Sequence, residues 1–180
     1  MTISTTSNPK IWTKAPYIIS TDASQISPIT LNTWFASEEV YWAKPMPEAA
    51  MRATLQNSLC FGLYDQTPNP KGTPTQNSIL IGFARCITDT TTFVYLTDVF
   101  ILPEHQGKGL GTWLIACVQE VIESMPYLRR SMLITSGWKR SVPFYEKLLG
   151  MEVSGGQMGA DGHGTGLAVM IRKGKGAPGV

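Results

Sequence analysis

The period of the apolar positions changes along the chain, and each change marks a change of element. Leu59–Tyr64 is a first short apolar run. In Ile79–Ile87, Ile79, Ile81, Phe83 and Ile87 fall on one face and Leu80, Gly82, Ala84 and Cys86 on the other. Phe93–Leu102 is a third such segment, and this two-residue period is that of strands. Asp65–Ser78, with three prolines, reads as an exposed hairpin loop, and Asp89–Thr92 as a turn. Neither connection is long enough for a helical crossover, so the three strands are expected to form an antiparallel meander. Further on, Leu110, Trp113, Leu114, Cys117, Val118 and Val121 recur with the spacing of one helical face. Met132–Thr135 is a strand reached through that helix, hence expected to be parallel to 93–102. Ser141–Leu149 is a short helix ended by Gly150. Glu152-Val153 and Leu167–Arg172 are late strands separated by a glycine-rich stretch that holds His163.

The N-terminal third is less regular. Residues 1–15 read as a flexible arm and Tyr17–Ser20 as a strand. Ser27-Pro28 starts a helix, with proline at the first helical position, where a missing N–H costs nothing. Pro47-Glu48 starts another, and Tyr41-Trp42 lies between them. The sequence predicts one domain over 16–172 with a flexible tail over 173–180. Its fold class is α/β, or α+β: a mixed central sheet flanked by about four helices.

Composition narrows the classes. The chain has 180 residues, 43% hydrophobic and 16% charged, with a net charge of +2. That suits one globular domain and leaves no basic footprint for nucleic acid. No apolar run reaches the roughly 18 residues of a membrane span, and MTISTTSNPK lacks the apolar core of a secretory signal. Cys60, Cys86 and Cys117 each sit in an apolar segment and read as core residues of a reduced, cytoplasmic protein. With no CxxC and only His105 and His163 as histidines, no metal site is expected.

The chemistry concentrates after residue 102. Pro103 stops the strand, Gln106-Gly107-Lys108-Gly109-Leu110-Gly111 follows, and a helix opens. Glycines at alternate positions leave backbone N–H groups unobstructed, and the first helical turn adds unpaired amides and the positive end of the dipole. Such a segment binds phosphate or pyrophosphate, with Lys108 adding charge at its mouth. The spacing is not GxxxxGK[ST], and GxGxG after a meander is not the dinucleotide fingerprint GxGxxG. It does satisfy [Q/R]xxGx[G/A] through Gln106, Gly109 and Gly111. With Val99-Phe100-Ile101-Leu102-Pro103-Glu104 before it and Phe144-Tyr145-Glu146-Lys147 after it, the stretch 93–151 resembles the GNAT acetyltransferase superfamily. The element order over 16–172 extends the resemblance.

That resemblance implies a GNAT fold splayed between strands 93–102 and 132–135, with acetyl-coenzyme A as acyl donor. It implies that the amides from Gly107 through Lys108, Gly109, Leu110 and Gly111 to Thr112, with Gln106, hold the pyrophosphate. The backbone of Phe100, Ile101 and Leu102 would pair with the pantetheine arm. Tyr145 matches the tyrosine that in many members protonates the departing thiolate, a task suited to a phenol with pKa near ~10. Asp98 is the candidate base or acceptor contact. Two-residue spacing puts it on one face with Val94, Leu96, Phe100 and Leu102, where apolar burial would raise its pKa.

Trp34, Tyr41 and Trp42 lie in the segment that forms an acceptor wall in GNAT proteins, and they suit an amine through stacking or cation–π contact. Ordinary helix packing is the alternative for them, as it is for Tyr145. Glu38 and Glu39 read as a solvated helix end, and His105 as a solvated loop residue. The chain has Trp138 where many members have asparagine, and Leu148-Leu149-Gly150-Met151 is one residue longer than the commoner ending. The expected activity is N-acetylation of a small-molecule amine by a monomer or homodimer, with no nucleic-acid or membrane partner. A protein lysine or N-terminus is the alternative acceptor, and a non-catalytic acyl-CoA-binding module the rival from another class.

Overall fold

The structure is a computed structural model that describes residues 8–67, 78–158 and 164–179. His163 and most of the loop expected over 65–78 lie outside the described residues. The strands are β1 (Ile11–Lys14), β2 (Tyr17–Ser20), β3 (Leu59–Asp65), β4 (Ile79–Thr88), β5 (Phe93–Ile101), β6 (Arg130–Thr135), β7 (Glu152–Met158) and β8 (Gly164–Lys173). The helices are α1 (Pro28–Phe35), α2 (Glu48–Gln56), α3 (Leu110–Glu123) and α4 (Ser141–Leu149). One mixed sheet runs β1-β2-β3-β4-β5-β6-β8-β7. β3, β4 and β5 form the expected antiparallel meander, and β6 is parallel to β5.

Local chemistry fixes the ends of these elements. The Ser27 hydroxyl accepts the Thr30 amide at 3.2 Å, capping α1, with Pro28 in its first turn. The Asp89 carboxylate accepts the Thr92 hydroxyl and the amides of Thr91, Thr92 and Phe93, which shapes the β4–β5 turn; the hydroxyl first and then the amides hold its carboxyl well below the usual range.

The sheet carries a core on each face. α3 and α4 cover one, burying Leu114, Ile115, Val118 and Leu149 against Phe61, Leu63, Val94 and Leu96. α1 and α2 cover the other, with Leu31, Trp34, Phe35, Met51 and Leu55 against Phe83 and Phe100. Each fully buried large apolar side chain contributes about 1.5–3 kcal/mol relative to exposure. The three cysteines are buried, and desolvation pushes the Cys60 and Cys86 thiols up to about 12.

Register shifts break the simple alternation. The β4–β5 ladder pairs Phe83 with Phe100 and Arg85 with Thr97, so one residue of β4 faces two of β5. Val94 and Leu96 therefore pack on the α3 side, Phe100 on the α1–α2 side and Ile101 on the α3 side again. The single face expected for Val94, Leu96, Asp98, Phe100 and Leu102 does not exist, because a bulge moves every later side chain to the opposite face. β4 has the same feature: Ile81 packs with α3, while Phe83 packs with α1.

Both chain ends are more structured than expected. Ile11–Lys14 of the presumed arm pairs with β2. After β8 the amides of Gly174 and Gly176 donate to Arg129 O and Leu128 O at 3.0 and 2.8 Å, and Ala177 is buried.

Candidate active site

β5 and β6 pair only from Phe93–Leu96 to Arg130–Leu133. Beyond that point β5 stays on β4 as far as Ile101, and β6 stays on β8 as far as Thr135. The two strands part, as expected, and the gap opens toward the loop that follows β5. Leu102 donates its amide to Ile81 O at 2.9 Å, on the β4 side. Strand alternation then turns the peptide groups of Ile101 toward the gap. The Gln106 side-chain amide donates to Ile101 O at 2.9 Å, so Gln106 ties the loop to the strand end.

The amides of His105 and Gln106 are used within the turn, donating to Leu102 O and Pro103 O. Trp113 is the first residue of α3 whose amide reaches a helical carbonyl, Gly109 O at 3.1 Å. From Gly107 to Thr112 no amide has a backbone acceptor among the described residues. Gly107 and Gly109 have φ of +74° and +75°, a conformation that strains other residues, and a Cβ at either would meet open space. The result is an unobstructed cradle of N–H groups at a helix N-terminus, with the exposed Lys108 beside it. Leu110 is buried and offers the cradle only its amide.

A cleft of about 640 Å³ occupies the gap between β5 and β6. Asp98, Tyr145, Tyr41 and Trp42 all line it, so four of the residues singled out by sequence converge there. Trp34 does not. It is 7% exposed and packs tilted against Phe100, with ring centroids 5.4 Å apart, because the apolar face of α1 is turned to the sheet. Glu38 and Glu39 are exposed and line no part of the cleft. His105 is half-buried rather than solvated, with Nδ1 enclosed and unpartnered among the described residues.

Asp98 has φ of +51°, rare for a residue with a side chain, and sits in the bulge that breaks the β5 register. Its surroundings are not the apolar ones expected. Oδ2 accepts from Arg85 Nε at 2.7 Å, and Arg85 Nη1 reaches Ser58 at 3.1 Å. The side chains are 9% and 16% exposed, so this pair is largely withdrawn from solvent in the cleft wall. Arg85 was missed by sequence reasoning, although a lone guanidinium inside the apolar run ILIGFARCI is a usable signal.

Tyr145 projects from α4, half-buried and stacked edge-on against Phe144 at 5.1 Å. Burial pushes its phenol well above the usual range. Its hydroxyl bonds to no other group among the described residues. Across the mouth, the Tyr41 hydroxyl shares a hydrogen bond with Ser136 Oγ, linking the loop between α1 and α2 to the end of β6. Tyr41 and Trp42 meet edge to face at 5.2 Å.

Trp138 has a structural explanation. Its indole N–H donates to Gly166 O at 3.0 Å, and the ring lies on the glycines of β7 and β8. A Cβ at Gly156 would come within 2.7 Å of the ring, and one at Gly164 would land inside it. The adjacent Gly137 carbonyl accepts the amides of Arg140, Ser141 and Val142, starting α4. The wedged indole thus anchors the helix that carries Tyr145. Gly164→Val should cost about 1–3 kcal/mol through overpacking, and Trp138→Ala should relieve much of that cost in the double variant. Urea unfolding of the two single variants and the double variant checks the coupling.

Comparison with known proteins agrees with this architecture. A model of the acetyltransferase (GNAT) family matches residues 29–151. A Gibberella zeae protein that carries an acetyltransferase name is 38% identical over 151 residues, 80% of this chain and 84% of that one. The crystal structure of a GNAT-family protein from Xanthomonas campestris is 31% identical, with a TM-score of 0.58 over 72% of this chain and 82% of that one. A spermidine N-acetyltransferase from Vibrio cholerae, solved with CoA and spermine, shares the fold at 17% identity, with a TM-score of 0.63 over 89% and 96% of the two chains. These matches, with the split sheet, define an acyltransferase. The chain belongs to the GNAT family of acetyltransferases, enzymes that draw their acetyl group from acetyl-coenzyme A.

Proposed function

We propose that the protein transfers an acetyl group directly from acetyl-coenzyme A to the primary amine of a small molecule. The observation that carries the small acceptor is the Tyr41–Ser136 bond across the cleft mouth. It joins the α1–α2 loop to the end of β6 over the cleft that both residues line, an enclosure that suits a small amine better than a folded protein surface.

Each part of the site has a task in this reading. The amides from Gly107 to Thr112 hold the pyrophosphate, with Lys108 adding charge. Ile101 offers its backbone to the pantetheine arm, while Phe100 and Leu102 fix the strand through their bonds to β4. A donor held there supplies an activated thioester carbonyl between β5 and β6. Tyr145, kept protonated by burial, gives its proton to the sulfur as the carbon–sulfur bond breaks. Asp98 faces the acceptor. Because Arg85 already occupies one of its oxygens, it suits holding an ammonium group better than removing its proton, which passes to water before the neutral amine attacks; the proton that the nitrogen sheds after attack restores the Tyr145 phenol.

A thiol-release assay with acetyl-coenzyme A tests this against monoamines, amino acids, polyamines and amine-bearing peptides. A small amine should exceed every peptide in kcat/KM by about tenfold, or ~1.4 kcal/mol. Peptides as the best acceptors, or donor binding without thiol release on any amine, would overturn the reading.

A further inference from the structure

We infer that the acceptor is an aromatic monoamine that also carries a carboxylate. This rests on the small-amine reading above and narrows it. The first observation is charge. Among the described residues that line the cleft, the ionised groups are Lys44, Arg85 and Asp98, two cations against one carboxylate. The carboxylate is already paired with Arg85 at 2.7 Å. A polyamine brings several ammonium groups and would need an acidic partner for each, whereas this cleft offers part of one. A single ammonium fits at the free side of Asp98, where Oδ1 has only a long 3.4 Å contact from the Thr97 hydroxyl.

The second observation is the wall. Tyr41 and Trp42 are 70% and 43% exposed, yet both are held in place. Tyr41 is tied to Ser136 by its hydroxyl, and Trp42 packs edge-on against both Tyr41 and Phe100. Fixed, partly bare rings facing a cleft suit a flat apolar body, because binding covers them without the cost of ordering them. Tyr95 adds a further ring to the lining.

The third observation is Lys44. It follows Trp42 by two residues in the same loop, is exposed, lines the cleft and makes no ion pair among the described residues. With Asp98 taking the ammonium and the rings taking the body, Lys44 is placed to meet an anionic group at the mouth. Ring, amine and carboxylate together describe an aromatic amino acid or a close relative.

The test compares tryptophan, tryptamine and spermidine as acceptors under saturating acetyl-coenzyme A. Tryptophan should exceed tryptamine in kcat/KM by about tenfold, and spermidine should fall below both. Lys44→Gln should collapse the tryptophan-to-tryptamine ratio toward one, mainly through the KM of tryptophan. Spermidine as the best of the three, or a ratio near one in the unaltered enzyme, would overturn this inference and leave the small-amine reading standing. If none of the three is turned over but a peptide is, the small-amine reading itself fails, and this inference with it.

Discussion

Tyr145→Phe should lower the turnover number roughly 10²-fold while leaving acetyl-coenzyme A affinity nearly unchanged. The substitution removes one oxygen and keeps the ring, so the edge-on packing against Phe144 survives. What is lost is the proton proposed for the departing sulfur. Burial raises this phenol's pKa, so it stays protonated through neutral and mildly alkaline pH, as a donor must. Loss of this proton should therefore not limit the unaltered enzyme until the pH exceeds about 10, the ordinary phenol value. The phenylalanine variant lacks the donor at every pH, and its deficit should be nearly constant between about pH 7 and 9. Single-turnover rates across that range, with melting temperature measured alongside, separate the roles. Normal turnover in a variant of lowered melting temperature would make Tyr145 a packing residue only.

Gly109→Asp should weaken acetyl-coenzyme A binding well over tenfold, more than ~1.4 kcal/mol. Gly109 is the cap of α3, and its φ of +75° admits a side chain only with strain. That strain is about 1–2 kcal/mol, and aspartate tolerates the conformation better than most residues. A Cβ there meets no protein atom, so the fold should survive. The carboxylate, however, would stand among the amides proposed to hold the pyrophosphate and repel it. Gly109→Asn has nearly the same shape without the charge, and calorimetry on both variants divides the loss between bulk and repulsion. Full affinity in a folded Gly109→Asp variant would remove the cradle from the donor site.

The contrast between legible and hidden features has a physical basis. The helical face of α3 and the two-residue period of β4 and β5 are repeated signals, and repetition marks the element even where a bulge resets its face. The glycine loop was legible because φ above zero restricts the residue choice. The β5 bulge was not, since one extra residue leaves no compositional mark, and it overturned the face assigned to Asp98. The partnership of Arg85 with Asp98 depends on the β4–β5 register, which that bulge sets. Trp34 was placed in the acceptor wall because the resemblance assigns its whole segment to that wall, yet the two-turn helix α1 turns it inward. β1 was missed because IWTK is too short to show a period. The docking of the last residues depends on main-chain contacts to Leu128 and Arg129, which glycines permit but do not announce.

The indole of Trp138, lying on Gly156 and Gly164, also bears on how related chains can diverge. Positions 138 and 164, separated in sequence, share one volume. A lineage that shrinks the residue at 138 gains room for a side chain at 164, whereas one that keeps tryptophan must keep the glycine there. Gly156 stays glycine in either case, because its φ of +156° strains a side chain whatever the room beside it. Positions 138 and 164 should therefore covary across descendants of a common ancestor, with tryptophan accompanied by glycine and asparagine or another small residue accompanied by a larger one.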